Sequence, residues 1–233
     1  MQDRIIVALD SPDAGSALAM AERLRGRARW VKVGMTLFYA EGPDIVGSLR
    51  EMGFDVFVDL KLHDIPHQVR GAAFALGSLG AGMLTVHASG GADMMEAAVE
   101  GAREGAVAAG VAPPAVIAVT VLTSMDADTL ASVGVVDSPA DQVVGLAALA
   151  RTAGVDGVVC SPREAAAMRA LLGERALVVT PGVRPKWAGS DDQARVETPA
   201  AALAAGASHL VIGRPITGAD DPAAAFERIV QEG

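Results

Sequence analysis

The sequence predicts an α/β protein built as one closed (β/α)₈ TIM barrel, a single domain that spans residues 1–233. Eight short apolar segments alternate with eight helical segments along the chain, and this alternation is typical of parallel strands joined by helices. A length of 233 residues suits one barrel of this kind. No Pro- or Ser-rich linker and no change of composition divides the chain in two. A doubly wound open sheet is the alternative that the same alternation leaves open.

The first four strand and helix units are marked by apolar runs followed by helix start signals. Ser11, Pro12 and Asp13 precede an Ala-rich segment, which is typical of a helix N-terminus. The helix after the fourth strand has an apolar face that includes Met94, Met95, Ala98 and Val99. The predicted strands are 5–10, 29–34, one from Asp55 into the charged stretch 57–66, and 83–88; the predicted helices are 11–24, 42–53, 68–79 and one that follows residues 90–93.

The second four units repeat this pattern. Pro162 follows Ser161, and Pro222 follows Asp221; proline at the first helical position after a capping residue indicates a helix start. The predicted strands are 115–122, 157–161, 177–182 and 209–214; the predicted helices are short pieces after Ser124, then 139–153, 161–172, an Ala-rich helix after the polar loop 183–197, and 221–231.

Composition and charge limit the classes of partner. Hydrophobic residues make up 51% of the chain and aromatic residues 3%, which favours a close-packed globular core over disorder. The formal net charge is −9. We therefore expect no general nucleic-acid surface and no binding to anionic membranes, and an anionic ligand must be held by a local group of basic residues.

No targeting or membrane segment is predicted. Only five apolar residues lie between Arg4 and Asp10, too few for the apolar region of a signal peptide. Residues 106–125 are uncharged and mostly apolar, but Pro113 and Pro114 divide them into a helix end, a turn and a strand. Cys160 is the single cysteine; we expect it in the core, and its isolation fits a reducing compartment. The expected location is the cytoplasm.

The third predicted strand ends in charges. Alternate side chains of a strand share a face, so Asp59 and Lys61 point one way while Val58, Leu60 and Leu62 point the other. A structural salt bridge at a strand end is the simplest explanation of one Asp and one Lys in this spacing. Asp64 adds a second carboxylate three residues further on. Two acids around one base can hold an ammonium group in place for proton transfer.

The loops after the last two predicted strands suggest a phosphate site. In TIM barrels the loops after strands seven and eight often bind phosphate. Here they contain Gly182 with Arg184, and Gly213 with Arg214. Glycine permits close backbone approach, and arginine supplies planar donor pairs to phosphate oxygens. The loop 183–197 is long enough to fold over a ligand.

These motifs resemble the orotidine 5′-monophosphate decarboxylase family. The resemblance rests on Asp59-Leu60-Lys61-Leu62-His63-Asp64-Ile65-Pro66, on Val31-Lys32-Val33-Gly34, on Thr180-Pro181-Gly182-Val183-Arg184 and on Ile212-Gly213-Arg214. The motifs occur in order along the whole chain, and the Asp-x-Lys-x-x-Asp group is the specific one. The resemblance implies conversion of orotidine monophosphate to uridine monophosphate and carbon dioxide, the last step of de novo uridylate synthesis, without a metal or organic cofactor.

The resemblance also implies a role for each matching residue. Lys61 is the proton donor, and the implied partner is a second copy of the chain in a homodimer, where Asp64 completes the neighbouring site. The implied catalytic residues are Lys32, Asp59, Lys61 and Asp64; the implied substrate-binding residues are Asp10, Lys32, Asp59, Thr123, Arg184, Gln193, Gly213 and Arg214.

Two alternatives explain the same residues differently. A related barrel that acts on sugar phosphates shares the Asp-x-Lys-x-x-Asp group but uses magnesium; a metal needs several converging oxygen ligands, whereas Lys32 places a cation there. A phosphate-ligand sensor on a barrel scaffold is the second alternative, but it gives the acidic and basic group no purpose. His63, His67, His87 and His209 are expected to be structural.

Overall fold

Eight parallel strands form a closed barrel in the computed structural model, which describes residues 1–188 and 197–232. Each strand pairs with its neighbours in chain order, and β8 closes the barrel by pairing with β1. Closure excludes the open-sheet alternative. The strands are β1 Ile5–Leu9, β2 Trp30–Gly34, β3 Asp55–Leu62, β4 Met83–His87, β5 Ala115–Val119, β6 Gly157–Val159, β7 Leu177–Pro181 and β8 His209–Ile212.

Helices follow the strands and cover the outside of the barrel. Within residues 1–188 and 197–232, no helix combines the length and apolarity that a membrane span requires. The helices are α1 Ala14–Leu24, α2 Met35–Glu41, α3 Asp44–Glu51, α4 Pro66–Ser78, α5 Ala92–Ala109, α6 Ala127–Ser132, α7 Pro139–Thr152, α8 Ala165–Leu172, α9 Pro199–Ala204, α10 Arg214–Thr217 and α11 Pro222–Gln231.

Polar side chains cap several helices where the sequence predicts a helix start. The Asp13 carboxylate accepts a hydrogen bond from the backbone N–H of Ser16 at the start of α1, at 2.8 Å. Ser138 and Asp221 cap α7 and α11 in the same manner, each followed by proline. These contacts satisfy N–H groups that have no partner within the helix. They fix the points at which the chain turns from loop into helix.

The strands separate two apolar regions by their alternation. On β1, the side chains of Ile5, Val7 and Leu9 pack in the outer core beneath the helices. Ile6 points to the other face and packs inside the barrel. We call the apolar residues of the barrel interior the inner apolar cluster; it consists of Ile6, Trp30, Phe57, Met83, Ile117 and Val179.

Several elements differ from the sequence prediction, among them the short helix α10, which begins at the last residue of the predicted strand 209–214 and was not expected. Helix α2 was not expected; it has only two turns and no side-chain cap at Gly34, so it carries none of the usual start signals. Helix α4 starts at Pro66, two residues early. Strand β5 ends three residues before the predicted end. There the Thr120 hydroxyl and backbone N–H both donate to the carbonyl oxygen of Val159, and the chain then leaves the sheet.

Candidate active site

Four charged side chains gather at the C-terminal end of the barrel. β1 is followed directly by Asp10, β2 carries Lys32, and β3 carries Asp59 and Lys61. Lys32 pairs in register with Ala8, and Asp59 with Gly34. The strand register therefore brings the four groups together at the end of the barrel where TIM-barrel enzymes have their active sites. We call Asp10, Lys32, Asp59 and Lys61 the charge network.

Acidic and basic groups alternate through the charge network. The Lys32 ammonium lies 3.1 Å from Asp10 Oδ1 and 3.6 Å from Asp59 Oδ2. The other Asp59 oxygen, Oδ1, accepts from the Lys61 ammonium at 2.8 Å. The Asp59 side chain is only 13% exposed and that of Lys61 25%, whereas that of Asp10 is 68% exposed. The network thus runs from the solvent into the barrel.

Asp59 stays ionised despite its burial. Burial is the largest influence on its pKa and acts to raise it, because a charge is less stable away from water. Lys32 and Lys61 oppose this effect by charge, and hydrogen bonds from Lys61 and Thr85 add to their influence. The combined result is an Asp59 pKa below its ordinary value. A carboxylate fixed between two ammonium groups is therefore available at neutral pH.

The backbone of β3 is irregular at Lys61. Lys61 has φ of +54°, the only positive φ at a non-glycine residue in the described chain. Such a conformation costs an L-residue about 1–2 kcal/mol. The pairing of β3 with β4 shifts between Val58 and Leu62, so that four steps along β3 match two along β4. Strain of this kind is concentrated at functional sites.

Thr85 on β4 contacts this irregular segment. Its hydroxyl accepts a hydrogen bond from the backbone N–H of Lys61 at 2.9 Å and donates one to Asp59 Oδ1 at 2.9 Å. Thr85 is fully buried. No sequence motif singles out Thr85, although alternation along β4 places it on the inner face with Met83 and His87.

Two glycines leave space around the charge network. A Cβ atom at Gly34 would lie 3.1 Å from Lys32 Nζ and 3.4 Å from Asp10 Oδ1. A Cβ atom at Gly213 would lie 3.4 Å from the Cβ atom of Ala8 and 3.8 Å from Asp10 Oδ2. Gly213, predicted from the loop after β8, is therefore beside the acidic end of the network.

A cavity of about 510 Å³ opens at the same end of the barrel, beyond β5 to β8. Thr123, Gly182 and Arg214 line it. Arg184 lies two residues after Gly182 in the loop that follows β7, and it is 8% exposed. Its backbone N–H donates to the carbonyl oxygen of Glu197 at 3.0 Å. Since Gly213 adjoins Asp10 and Arg214 lines the cavity, these two of the predicted phosphate residues connect the cavity to the charge network.

A histidine pair borders the network. The rings of His63 and His87 have their centroids 5.5 Å apart. Burial is the main cause of a lowered pKa at His87, and the neighbouring His63 and Lys61 add to it. His87 is therefore neutral at neutral pH and adds no further positive charge near Lys61.

Comparison with known proteins places these residues in a family. The sequence model of the orotidine 5′-phosphate decarboxylase / HUMPS family matches residues 3–229. The chain belongs to this family. Orotidine 5′-phosphate decarboxylases of Parasynechococcus marenigrum and Alkalilimnicola ehrlichii are each 53% identical to it, over 96% and 98% of this chain and 91% and 95% of their own lengths. The protein is an enzyme.

The fold agrees with that of a solved member of the orotidine 5′-phosphate decarboxylase family. The crystal structure of orotidine 5′-phosphate decarboxylase from Lactobacillus acidophilus superposes with a TM-score of 0.89 at 40% identity, covering 99% of this chain and 98% of that one. The (β/α)₈ barrel predicted from the sequence is confirmed.

One residue that the resemblance to the orotidine 5′-phosphate decarboxylase family singled out, Asp64, does not join the charge network in the described part of the chain. Asp64 is exposed, and its Oδ1 accepts from the backbone N–H of Ile65 at 2.6 Å. Among the ion pairs of the described residues, none joins Asp64 to Lys61. Gln193 lies outside the described residues. The roles of these residues, like those of the charge network, stay predictions.

Proposed function

We propose that this enzyme converts orotidine 5′-monophosphate to uridine 5′-monophosphate and carbon dioxide, the last step of de novo uridylate synthesis, with neither a metal nor an organic cofactor. The observation that carries the proposal is the Lys61 ammonium, 2.8 Å from a buried carboxylate that stays ionised. The names of the relatives support the substrate. The charge network supports the chemistry, because it supplies a fixed cation and a proton source.

Lys61 has two tasks in this mechanism. When the bond between carbon 6 of the pyrimidine and the carboxylate breaks, its electron pair stays on carbon 6 and carbon dioxide leaves. A cation close to that carbon stabilises the transition state more than the ground state. The Lys61 ammonium then donates a proton to carbon 6, which yields the uridine ring and a neutral amine.

Asp59 and Lys32 set up this proton transfer. Asp59 fixes the position of the Lys61 ammonium by a 2.8 Å contact, and its own charge repels the substrate carboxylate until carbon dioxide leaves. The Lys32 ammonium pairs with the other carboxylate oxygen of Asp59, Oδ2, and with Asp10 Oδ1. We assign Asp10 and Lys32 to the ribose hydroxyls, as the resemblance to the family implies; the Asp10 side chain is 68% exposed and lies within 3.1 Å of the Lys32 ammonium.

The phosphate group is assigned to Arg184, Gln193, Gly213 and Arg214, with Thr123 near the ribose or base. The cavity that Thr123 and Arg214 line supports this assignment. Phosphate is remote from carbon 6, so its binding energy can be used to orient the reacting ring and to close the site.

The magnesium-dependent alternative fits the charge network less well. Asp59 Oδ1 faces Lys61, and Asp59 Oδ2 faces Lys32. A divalent cation at Asp59 would have to displace one of these ammonium groups. A sensor without catalysis would still bury and order the same charges at an energetic cost but make no use of them.

Turnover in the presence of a chelator tests the proposal. Orotidine 5′-monophosphate is mixed with the purified protein and excess EDTA, and the loss of the substrate's ultraviolet absorbance is followed. We expect the same rate with and without EDTA. No turnover in either case would favour the sensor, and turnover that EDTA abolishes would favour a metal enzyme.

We further propose that the enzyme is a homodimer in the cytoplasm and that Asp64 serves the neighbouring site. Its exposure and its lack of an ion pair with Lys61 within the described part of one subunit support this placement. A twofold interface would bring the same residue of each subunit to the other's site. Exposed Ile65, at 63%, follows Asp64 and would be covered there.

Mixing two inactive variants tests the shared site. Lys61→Ala and Asp64→Ala subunits are unfolded and refolded together, so that roughly half of the dimers are mixed under random pairing. In a mixed dimer one site then carries both defects and the other neither. About a quarter of the wild-type activity per site should return. If Asp64 served its own subunit, every site would carry a defect and mixing would restore nothing.

A further inference from the structure

We propose that Thr85 is a positioning residue of this site, which holds Lys61 and Asp59 in their working arrangement. The inference rests on the proposed function, and it concerns how the chain builds the site rather than which substrate the site takes. The observations that carry it are the two hydrogen bonds of the Thr85 hydroxyl, the positive φ of Lys61 and the register shift beside it.

The register shift changes the bonding of the Lys61 backbone. In a regular parallel pair, strand N–H groups donate to carbonyl oxygens of the adjacent strand. Between Val58 and Leu62 this pattern is interrupted, and the Lys61 N–H donates instead to the Thr85 hydroxyl. A side chain thus replaces a backbone acceptor at the one non-glycine residue of the described chain with positive φ. A strained conformation persists only where its surroundings determine it.

The Thr85 hydroxyl can make both contacts at once because it is a donor as well as an acceptor. A hydroxyl has one proton to donate and two lone pairs that accept. Since the lone pair facing Lys61 accepts from its backbone N–H, the proton is free to bond to Asp59 Oδ1, which requires that Asp59 accept. The same Oδ1 atom accepts from the Lys61 ammonium. One hydroxyl therefore fixes both the backbone of Lys61 and the carboxylate that its side chain contacts.

Thr85 is fully buried, so water does not take over these contacts. The terminal torsion of an aspartate is broad, and the hydrogen bond from Thr85 restricts the rotation of the Asp59 carboxylate. We expect the loss of the hydroxyl to move the Lys61 ammonium relative to carbon 6. Displacement of a catalytic group by about 1 Å can lower a rate by about 100-fold.

Three variants test the proposal. Thr85→Val keeps the shape and removes the hydroxyl, and Thr85→Ser keeps the hydroxyl and removes a methyl group. The control is Thr180→Val, the same change at another fully buried threonine, whose weaker hydroxyl contact of 3.5 Å goes to the carbonyl oxygen of His209. We measure kcat and KM for orotidine 5′-monophosphate, the affinity for uridine 5′-monophosphate, and the thermal midpoint.

We expect Thr85→Val to lower kcat roughly 10- to 100-fold while KM and the affinity for uridine 5′-monophosphate stay close to wild type. Thr85→Ser should restore most of kcat, and Thr180→Val should leave kcat unchanged. A wild-type kcat in Thr85→Val would overturn the proposal. So would an equal loss in Thr85→Ser or in Thr180→Val, because a general packing defect would then explain the result.

A measurement on the unmodified protein covers the case in which Thr85→Val does not fold. The Lys61 backbone N–H should exchange with deuterium slowly, because it bonds to a buried oxygen. Exchange as fast as that of an exposed loop amide would show that the contact is absent and would overturn the proposal. If the wild-type enzyme does not turn over orotidine 5′-monophosphate, the proposed function fails, whereas the exchange result still tests the contact.

Discussion

The two ends of the barrel interior are built from the same strands but carry different chemistry. At the N-terminal end the inward positions hold Trp30, Phe57 and Met83 of the inner apolar cluster. Two residues further along the same strands, the inward positions hold Lys32, Asp59 and Thr85. The change from apolar to polar side chains takes one step of the strand alternation. One end of the interior is therefore an apolar core, and the other holds the groups for which we propose a role in the reaction.

The apolar layer also affects the strength of the electrostatic interactions at the charged end. Lys32 is 8% exposed and lies directly above a closed apolar layer. Charges in such a place are costly unless they are paired, and each buried charge here faces an opposite one. With water excluded from below, the interactions between these charges are stronger than they would be in solvent. The comparison predicts that changes at the two ends affect different observables.

The largest effect is expected at the charged end, for Lys61→Ala. This variant removes both the proton donor and the cation near carbon 6, and we expect kcat to fall by at least about 10⁴-fold. Its affinity for uridine 5′-monophosphate should persist, since the phosphate residues are untouched. Steady-state kinetics and titration calorimetry measure the two quantities. Comparable catalysis by Lys61→Ala would reject the role of Lys61.

At the apolar end, Trp30→Ala should act on stability instead. Loss of a buried aromatic side chain leaves a cavity, and we expect the free energy of unfolding to fall by about 3–5 kcal/mol. The kcat of the folded fraction should change far less than in Lys61→Ala. The other tryptophan, Trp187, is the matched control. It lies outside the barrel, where Arg228 Cζ is 4.5 Å from the centroid of its ring. In denaturant titrations Trp187→Ala should lower the free energy of unfolding clearly less than Trp30→Ala does. Equal losses in the two variants would show that the apolar end has no special weight in the stability of the barrel.

Arg214→Ala sharpens the comparison within the charged end. Arg214 lines the cavity and is not a member of the charge network. Its loss should therefore weaken the binding of phosphorylated ligands by roughly 2–5 kcal/mol. Ligands without a phosphate should be nearly unaffected. Binding of uridine 5′-monophosphate and of uridine, measured side by side, checks this. Equal losses for both ligands would remove Arg214 from the phosphate site.

The same comparison explains what the sequence could predict. Buried parallel strands appear as apolar runs, so the eight strands and their order were predictable. Alternation correctly placed Asp59 and Lys61 on one face, because the register shift adds an even number of residues to β3. Cys160 is buried, as expected.

Features that depend on contacts between strands were not predictable. Thr85 looks like an ordinary strand residue in sequence, since its value depends on which β3 atoms the shifted register brings to it. The positive φ of Lys61 has no sequence signal either, because the residue is not glycine. The role of Asp64 stays a prediction, which came from the family resemblance and not from its position in a strand or helix pattern. For these residues the local pattern lacks the information that the assembled barrel supplies.

The smallest effect is expected from His209, at the apolar end beside Trp30. Their ring centroids are 6.0 Å apart, and the His209 Nδ1 atom lies 3.1 Å from the Ser208 hydroxyl. Burial first, and then Arg4 and Arg29, lower the pKa of His209 from 6.5 to about 4. The unfolded chain therefore binds more protons than the folded one between these values. The stability that His209 contributes is complete above pH 6.5 and is lost as the pH falls toward 4.

His209→Phe removes this titration and keeps an aromatic ring beside Trp30. Between pH 7 and pH 5 the wild type should lose about 2 kcal/mol more stability than the variant. Denaturant titrations at both pH values give the difference, and comparison with the variant cancels the contribution of His87, whose pKa is also lowered. The lowered pKa of Asp59 affects stability only at still lower pH. Equal losses of stability in both proteins would show that His209 is not held neutral. An unchanged kcat of His209→Phe at pH 7 would confirm that this end of the interior stabilises the barrel without taking part in the reaction.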